Sequence, residues 1–455
     1  MPKRTCLALI LAAGEGTRMR SAVPKAMHKV GGLPMVGYVL AAAAAAGATE
    51  RAVVIGPDAD AMGAFLADIA PDASIHVQAE RRGTAHAVLA ARRAFAKPAD
   101  DIVVLYADTP MVTAKTIRRL RRSLANGADL VVLGCRPADP TGYGRLIVEN
   151  RRLIAIREEK DASSAERSVD LCNSGIMAFS GSALAPILKR IGSDNAKGEF
   201  YLTDAVAIAN RGGRKVAVLE ADADEVAGVN SRHQLAQVEG IFQRRARQAA
   251  MENGATLIAP HTAWFSHDTR LGRDVTVEPN VWFGPGVTVA DGVTIRANCH
   301  IEGARIAAGA IVGPFARIRP NTVIGPKVRV GDFVEVKNAT LDEGVKANHL
   351  AYVGDAHVGA HTNIGAGAIV ANYDGFAKHH TEIGAGVSIG SNAVLVSPVA
   401  VGDGAFVAAG SVITQDVGAD ALAVARARQE EKPDWARHYR ELKGPDGNRI
   451  ATKVR

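Results

Sequence analysis

The chain is short of the residues that mark several large classes of protein. Its 455 residues include four cysteines, and Cys6, Cys135, Cys172 and Cys299 are scattered without metal-type spacing. That excludes a disulfide scaffold and a zinc ribbon, and fits free thiols in a reducing compartment. Aromatic residues make up only 5% of the chain, and no concentrated basic stripe carries interleaved aromatics. No nucleic-acid partner is expected. No apolar run reaches the roughly 18–20 residues of a bilayer span, so no membrane partner is expected either. The run VLAAAAAAGA is alanine-rich and short, and reads as a packed helix.

Two phosphate-binding fingerprints are absent as well. Residues 11–25 read LAAGEGTRMRSAVPK and follow the apolar run CLALIL. A G-x-G-x-x-G fingerprint would need glycine where Met19 stands, and G-x-x-x-x-G-K-[ST] does not occur here. Lys3, Arg4 and CLALILAA imitate a signal peptide, but the apolar run is short and nothing after Gly16 resembles a new mature terminus. The expectation is a cytoplasmic chain without a leader. What remains is a buried strand over 6–11 that turns through Gly14 and Gly16 into Arg18, Arg20 and Lys25. Glycines let backbone N–H groups approach an anion, and the cations can neutralise phosphate oxygens. A plain strand–turn–helix joint with solvated basic residues accounts for this loop equally well. The net charge of +7 agrees with anionic substrates.

With 47% apolar and 22% charged residues, the composition is that of an ordinary globular protein, and the length calls for two or more domains. Residues 1–229 alternate short β-branched runs (CLALIL, RAVVIG, DIVVLYAD, LVVLGC, KVAVLEA) with helical stretches such as 84–96 and 113–125. That alternation predicts an α/β domain with a mainly parallel sheet covered on both faces, binding ligand beyond the carboxyl ends of its strands. The opening loop and Asp108 both lie at such ends. Asp108 suits Mg²⁺, which takes one or two carboxylates plus substrate phosphates; it also suits a cap of the turn ADTP. Residues 231–252 carry Leu235, Val238, Ile241, Phe242 and Ala246 at helical spacing, with Asn230 or Ser231 as cap. This predicts a helix joining two domains, over 230–252.

From about 271 the period becomes six. Branched or small apolar residues recur at Leu271, Val277, Phe283, Val289, Ile295 and Ile301, then after a one-residue slip from Ile306 to Val336. Further slips carry the pattern through Leu341 to Val370, and it resumes from Ile383 to Ile413 after ANYDGFAKHHTE. A period of six is neither helix nor hairpin array. It is the signature of a hexapeptide β-helix, here over 253–430, in which three pieces make a coil and stacked coils bury the markers. The gap at 371–382 must loop out of the prism, and long ordered loops are commonly functional. His349 and Tyr352 fall in one coil. A histidine suits removal of a proton from an amine attacking a thioester, although a lone histidine in such a fold is more often a corner residue. The grouping of His349, Tyr352, Asn363, Asn372, Tyr373 and Lys378 near the gap favours a site. The polar tail 431–455 reads as a loose terminal segment.

Taken together, the two halves resemble the bacterial bifunctional N-acetylglucosamine-1-phosphate uridylyltransferase/glucosamine-1-phosphate acetyltransferase family over roughly 5–430. LAAGEGTRM with Pro24-Lys25 is similar to that family's nucleotide loop, and QAERRGTAHA to its uracil-reading segment. LYAD resembles its Tyr-Gly-Asp metal strand, with Ala107 in place of glycine, and Glu15 stands where some members have lysine. DPTGYGR, EEKDA, NSGI and GVNSR match its sugar-phosphate and second metal positions. The resemblance implies a Rossmann-like nucleotidyltransferase domain followed by a left-handed parallel β-helix. It implies UTP or UDP-sugar contacts at Leu11, Ala12, Ala13, Gly14, Lys25, Gln78, Gly83, Thr84, Tyr106, Asp108, Gly144, Glu158, Asn173 and Asn230. Arg18 and Lys25 would counter the charge of displaced pyrophosphate, and Asp108 and Asn230 would hold Mg²⁺.

In the second half, GPFARIRP, VEVKNA, NHLAYVGDA, NIGAGAIVANYDG and IGSNAVLV match the acetyltransferase. They imply His349 as base, with Arg319, Lys337, Tyr352, Asn363 and Lys378 on glucosamine-1-phosphate. Ala366, Asn372, Tyr373, Ser391, Ala409 and Arg426 fall to acetyl-CoA, though AVARARQ lacks the proline common near the family's last arginine. A homotrimer supplying cell-wall and lipopolysaccharide precursors is the implied whole. A single-activity sugar-nucleotide pyrophosphorylase with a structural β-helix shares this layout but does not need His349 with NYDG. A non-enzymatic protein of the same modules should lack Arg18, Lys25 and Asp108.

Overall fold

A computed structural model describes residues 4–57, 59–195 and 197–443, which form two compact units. The first is built on a nine-stranded sheet. Along its main path the strands run Val216–Glu220, Leu130–Cys135, Cys172–Ser180, Asp101–Tyr106, Cys6–Leu11, Glu50–Ile55 and Ser74–Val77. All neighbours on this path are parallel except that Cys172–Ser180 runs antiparallel to both strands beside it. The hairpin Arg145–Glu149/Arg152–Arg157 extends from that strand.

Alternation along the opening strand shows why both faces are covered. Leu7, Leu9 and Leu11 enter one buried cluster, while Cys6, Ala8 and Ile10 enter the other. The sequence expectation of a two-faced parallel sheet is met, with one antiparallel strand added. The alanine-rich run forms the helix Met35–Ala45. The stretch 84–96 is two short helices, Thr84–Ala90 and Arg92–Phe95, with Ala91 leaving helical geometry between them. Among the described residues no helix is long and apolar enough to cross a membrane.

The helix expected over 231–252 spans Arg232–Glu252, and the Ser231 side chain caps it by accepting from the Gln234 amide. It packs as part of the first unit, where the sequence reading makes it a joint. Val238 and Ile241 join Met19, Val30, Met35, Met111 and Val229 in a small core. Gln243, 2% exposed, donates to the Phe265 carbonyl at 2.7 Å and accepts from the Phe265 amide at 2.9 Å. These contacts carry the first unit to Leu271 and take in Trp282–Val287.

The second unit is a left-handed parallel β-helix of two- to seven-residue strands. Every marker from Val277 to Ile413 is buried, and Leu271 is half-buried. Register explains the slips. Thr276 pairs with Thr294, eighteen residues on, whereas Lys346 pairs with Asn363, seventeen on. Shortened coils drop one corner residue and keep the markers inside. Asn363 pairs with Ser388 across the looped-out segment. There the buried Thr362 hydroxyl donates to the Gly384 carbonyl at 2.7 Å and accepts from the Val387 amide at 3.0 Å, closing the prism behind the excursion. The tail, expected to be loose, holds the exposed helix Trp435–Lys443; residues 444–455 lie outside the described residues.

One outward ladder of this prism titrates. His357 Nδ1 meets Glu382, its Nε2 meets Asp342 Oδ2 at 2.9 Å, and His380 lies 3.3 Å from the other Glu382 oxygen. The two carboxylates, Glu382 first, raise the His357 pKa above the ordinary imidazole value. A raised folded-state pKa stabilises the fold fully below the unfolded value of about 6.5, and that contribution fades as pH rises through the folded value. His357→Gln should therefore lose stability at pH 5–6 relative to the parent and approach it above pH 8. Denaturant titrations across that range measure this, and equal losses at both ends would contradict it.

Candidate functional sites

In the first unit, parallel pairing brings the carboxyl ends of four strands to one edge. Leu11 lies opposite Val54 and Tyr106, and Ile55 lies opposite Val77. The segments that follow these strands enclose a cleft of about 380 Å³. Of the positions expected to touch UTP, Leu11, Ala12, Ala13, Gly14, Lys25, Gln78, Gly83, Thr84, Tyr106, Asp108 and Asn230 line it. Arg18 sits exposed on the short turn Thr17–Met19 and does not.

Lys25 is the centre of this cleft. Its ammonium is ion-paired with Asp108 and donates to Asn230 Oδ1 at 3.0 Å. The Lys25 and Asp108 side chains are 15% and 16% exposed, so solvent screens the pair less than a surface ion pair. The stem of Lys25 needs bare backbone beneath it. Gly16 has φ 66°, and a Cβ there would stand 2.7 Å from the Lys25 Cβ. Asp108 and Asn230 are tied together by the main chain, since the Val229 amide donates to the Asp108 carbonyl at 2.9 Å. Their side-chain oxygens converge on one cationic atom, an arrangement that a divalent cation could use in its place. Among the described residues no group of three His, Cys, Asp or Glu side chains could hold a metal. Such a cation would therefore draw its other ligands from phosphate and water, as Mg²⁺ does.

The segment expected to read uracil is held by backbone. Gln78, 4% exposed, donates through Nε2 to the Gly83 carbonyl at 3.2 Å. Gly83 has φ 109°, and a Cβ would meet the Phe200 carbonyl oxygen at 2.5 Å, so only glycine fits. The Thr84 hydroxyl accepts from the Leu202 amide at 2.9 Å. Beyond Tyr106 lie the positions expected for the sugar. The Asn173 amide donates to the Gly144 carbonyl at 2.7 Å, and Asn173 Oδ1 accepts from Gly175, whose bare Cα faces the Tyr106 ring. Burial raises the Glu158 pKa, opposed by the Thr203 hydroxyl bonded to it at 3.2 Å. Burial likewise raises the Tyr106 phenol, and the nearby Asp108 and Glu158 charges add to that.

In the β-helix, one corner repeats once per coil. The His349 carbonyl accepts from the Gly367 amide at 3.3 Å, Ala366 from Asn392 at 2.8 Å, and Ser391 from Gly410 at 2.8 Å. The Arg426 guanidinium donates to the Ala409 carbonyl at 3.0 Å. Hence His349, Ala366, Ser391, Ala409 and Arg426 form one line up the prism, with coils about 4.8 Å apart. His349 is exposed, and its Nδ1 meets Asp332 Oδ1 at 2.6 Å. Asp332 lies directly opposite it in the strand register.

Beside this line three cations gather. Contact with the Lys378 ammonium lowers the Lys337 pKa, and Arg319 acts on it in the same direction. Arg319 is itself bonded to Glu335 at 2.8 Å. Asn372 Nδ2 donates to Asp355 and lies 3.4 Å from the Tyr352 hydroxyl. A Cβ at Gly354 would stand 2.4 Å from that hydroxyl, so the tyrosine folds over bare backbone. The excursion is an ordered turn in which Asp374 accepts from the Phe376 and Ala377 amides and pairs with His379 at 2.7 Å. Those bonds hold the Asp374 carboxyl well below the usual range. Tyr373 pairs with Lys378 across this turn, while Asn363 sits outward beside Lys346 and Ser388.

Sequence reading missed Asp332, Asp355, Arg81 and Glu199. Asp332 was within reach, because it lies one coil before His349. Arg81 lies within QAERRGTAHA, the segment that resemblance already places at the nucleotide, whereas Glu199 lines the cleft from a segment that no motif or periodicity places there.

Three family profiles match the chain. The MobA-like NTP transferase domain covers residues 8–170, the hexapeptide repeat of succinyl-transferase covers 274–314, and the GMPPB C-terminal domain covers 304–412. Among curated proteins, the bifunctional protein GlmU of Azorhizobium caulinodans is 58% identical over 444 residues, 98% of this chain and 99% of its own. That of Xanthobacter autotrophicus is 58% identical over 440 residues, 97% and 98% of the two chains. That of Agrobacterium fabrum is 51% identical over 439 residues, 96% and 97%. Identity above one half thus extends over nearly the whole length of the chain, and the chain belongs to the family of bifunctional GlmU proteins.

Proposed function

We infer that this protein acetylates glucosamine-1-phosphate with acetyl-CoA at the β-helix and then transfers UMP from UTP to the product in the first unit. UDP-N-acetylglucosamine and pyrophosphate are released. The observation that carries this reading is the pairing, in one chain, of the Lys25–Asp108–Asn230 convergence with His349 held by Asp332. A pyrophosphorylase with a merely structural β-helix has no use for the second.

In the acetyl step the sugar amine attacks the thioester carbonyl, the C–S bond breaks, and coenzyme A leaves as thiol. Asp332 accepts from His349 Nδ1–H, which leaves Nε2 free to take the amine's proton. Arg319, Lys337 and Lys378 crowd like charges together, an arrangement relieved by a sugar phosphate. Acetyl-CoA lies along Ala366, Ser391, Ala409 and Arg426, with Asn372 and Tyr373 at the acetyl end. In the uridylyl step a phosphate oxygen attacks the α-phosphorus of UTP and pyrophosphate departs. Asp108 and Asn230 would hold Mg²⁺, which supplies charge neutralisation at the triphosphate. Lys25 neutralises developing charge, Gln78 and Gly83 read uracil, and Gly144, Glu158 and Asn173 orient the sugar.

We propose a homotrimer in the cytoplasm. Phe315, Phe333 and Leu350 stack up a second corner at 48%, 58% and 61% exposure, each with φ near +50°. Bulky side chains in that region cost conformational energy, which burial against a second copy offsets. The exposed His349 would gain its missing wall from that copy.

Loss of a general base costs about 10²–10⁴ in rate. His349→Ala should lower acetyl transfer by that order while N-acetylglucosamine-1-phosphate is uridylylated at the parental rate. Lys25→Ala should do the reverse. Assays of both half-reactions on both variants decide; a folded variant that loses both activities defeats the two-site reading. Asp108→Asn should weaken UTP binding without abolishing it and cut uridylyl transfer by at least about 10², since the cation that neutralises the reacting phosphates loses its carboxylate ligand. Full turnover at ordinary Mg²⁺ would remove Asp108 from the metal site. Phe315→Asn relieves its backbone and removes apolar surface, so light scattering should show weakened assembly together with loss of acetyl transfer. A parent protein that is monomeric and active in acetyl transfer would defeat the trimer.

A further inference from the structure

The glycine-rich loop carries a carboxylate where a triphosphate is to be received. Glu15 follows Gly14 directly, and unpaired it would repel the nucleotide. It is paired with Arg81. The Arg81 Nη1 donates to Glu15 Oε1 at 2.7 Å, and its Nε donates to the Ala13 carbonyl at 2.9 Å. The guanidinium lies against Gly56, where a Cβ would stand 2.9 Å from Nη2.

Arg81 borders two spaces. It lines the nucleotide cleft and also an adjoining cavity of about 150 Å³, and Glu15 lines only the second. Among the described residues the cleft has two cationic lining side chains, Lys25 and Arg81, and Lys25 is engaged by Asp108 and Asn230.

We propose that Arg81 is the second cation of the triphosphate site and that Glu15 holds it in waiting until phosphate oxygens take the carboxylate's place. This rests on reading the cleft as a UTP site. The Nε bond to the Ala13 carbonyl is the pivot, so only the outer end of the fork changes partner. Releasing Glu15 is cheap because it is 56% exposed and an open ion pair is worth little. A guanidinium fork holds phosphate more firmly, by two parallel charge-assisted bonds. When pyrophosphate has formed, Glu15 competes for the same fork and hastens its departure.

The test measures KM for UTP, KM for N-acetylglucosamine-1-phosphate, the inhibition constant of pyrophosphate, and Tm in three variants. Arg81→Gln should raise KM for UTP and the pyrophosphate constant about tenfold, as expected when a charge-assisted hydrogen bond is lost, with KM for the sugar phosphate unchanged. Glu15→Gln should lower the pyrophosphate constant severalfold, because the competitor is gone. Gly56→Ala keeps the guanidinium but displaces it, and should resemble Arg81→Gln even where Arg81→Gln fails to fold. The proposal is overturned if Arg81→Gln or Gly56→Ala, with parental Tm, binds UTP and pyrophosphate as the parent does, or if Glu15→Gln weakens pyrophosphate. A parent protein that consumes no UTP defeats the reading of the cleft itself, a result distinct from a UTP-active parent indifferent to Arg81.

Discussion

Parallel strand pairing is the constraint on which both halves depend. Parallel neighbours share a direction, so their like ends lie side by side and whatever follows each strand collects at one edge. In the first unit, Gly14, Gly56, Gln78 and Asp108 come from four segments widely separated in the chain. They meet because Leu11, Ile55, Val77 and Tyr106 end at one level. In the β-helix the same pairing stacks each coil on the one before. The corner at His349 is repeated at Ala366, Ser391 and Ala409, and a ligand-length line results from backbone hydrogen bonds alone. Side-chain chemistry then needs only the right residue at the right coil.

This also decides what could be read from sequence. Period is a property of buried residues, so the markers from Val277 to Ile413 were legible, as were the strands with β-branched runs. Slips in register did not hide them, because a one-residue deletion at a corner leaves the inward positions inward. The role of the helix Arg232–Glu252 was less legible. Its pattern gives a buried stripe but not the partner, and the partner includes Met19, Val30 and Met111, far away in the chain. The helix in the tail was missed because its apolar side chains, Trp435, Tyr439 and Leu442, are few and exposed.

Sites divide along the same line. Backbone cradles leave a strong trace, since glycine is forced wherever another chain segment occupies the space of a Cβ, as Phe200 does at Gly83. Partners of the candidate site residues leave almost none. Asp355, between Asn338 and Asn372, is one acidic residue in a corner where any short polar residue suits the left-handed backbone. Only its neighbours give it meaning, and they come from other coils.

The positive groups of both sites are largely met in advance by carboxylates: Lys25 by Asp108, Arg81 by Glu15, Arg319 by Glu335. Pre-pairing lowers affinity for phosphate, because each anion must displace one already present. It also fixes where each cation stands before substrate arrives, which removes part of the ordering cost from the binding step. An enzyme whose product carries phosphate like its substrate gains from both effects. Positioning is kept for the transition state, while a carboxylate waiting at each cation lets the product leave. Lys337 and Lys378 are the exception. They crowd each other at the surface, and the lowered Lys337 pKa records the unfavourable charge that a bound phosphate would remove. An anion bound there would gain from relief of that repulsion and would not have to displace a carboxylate already in place.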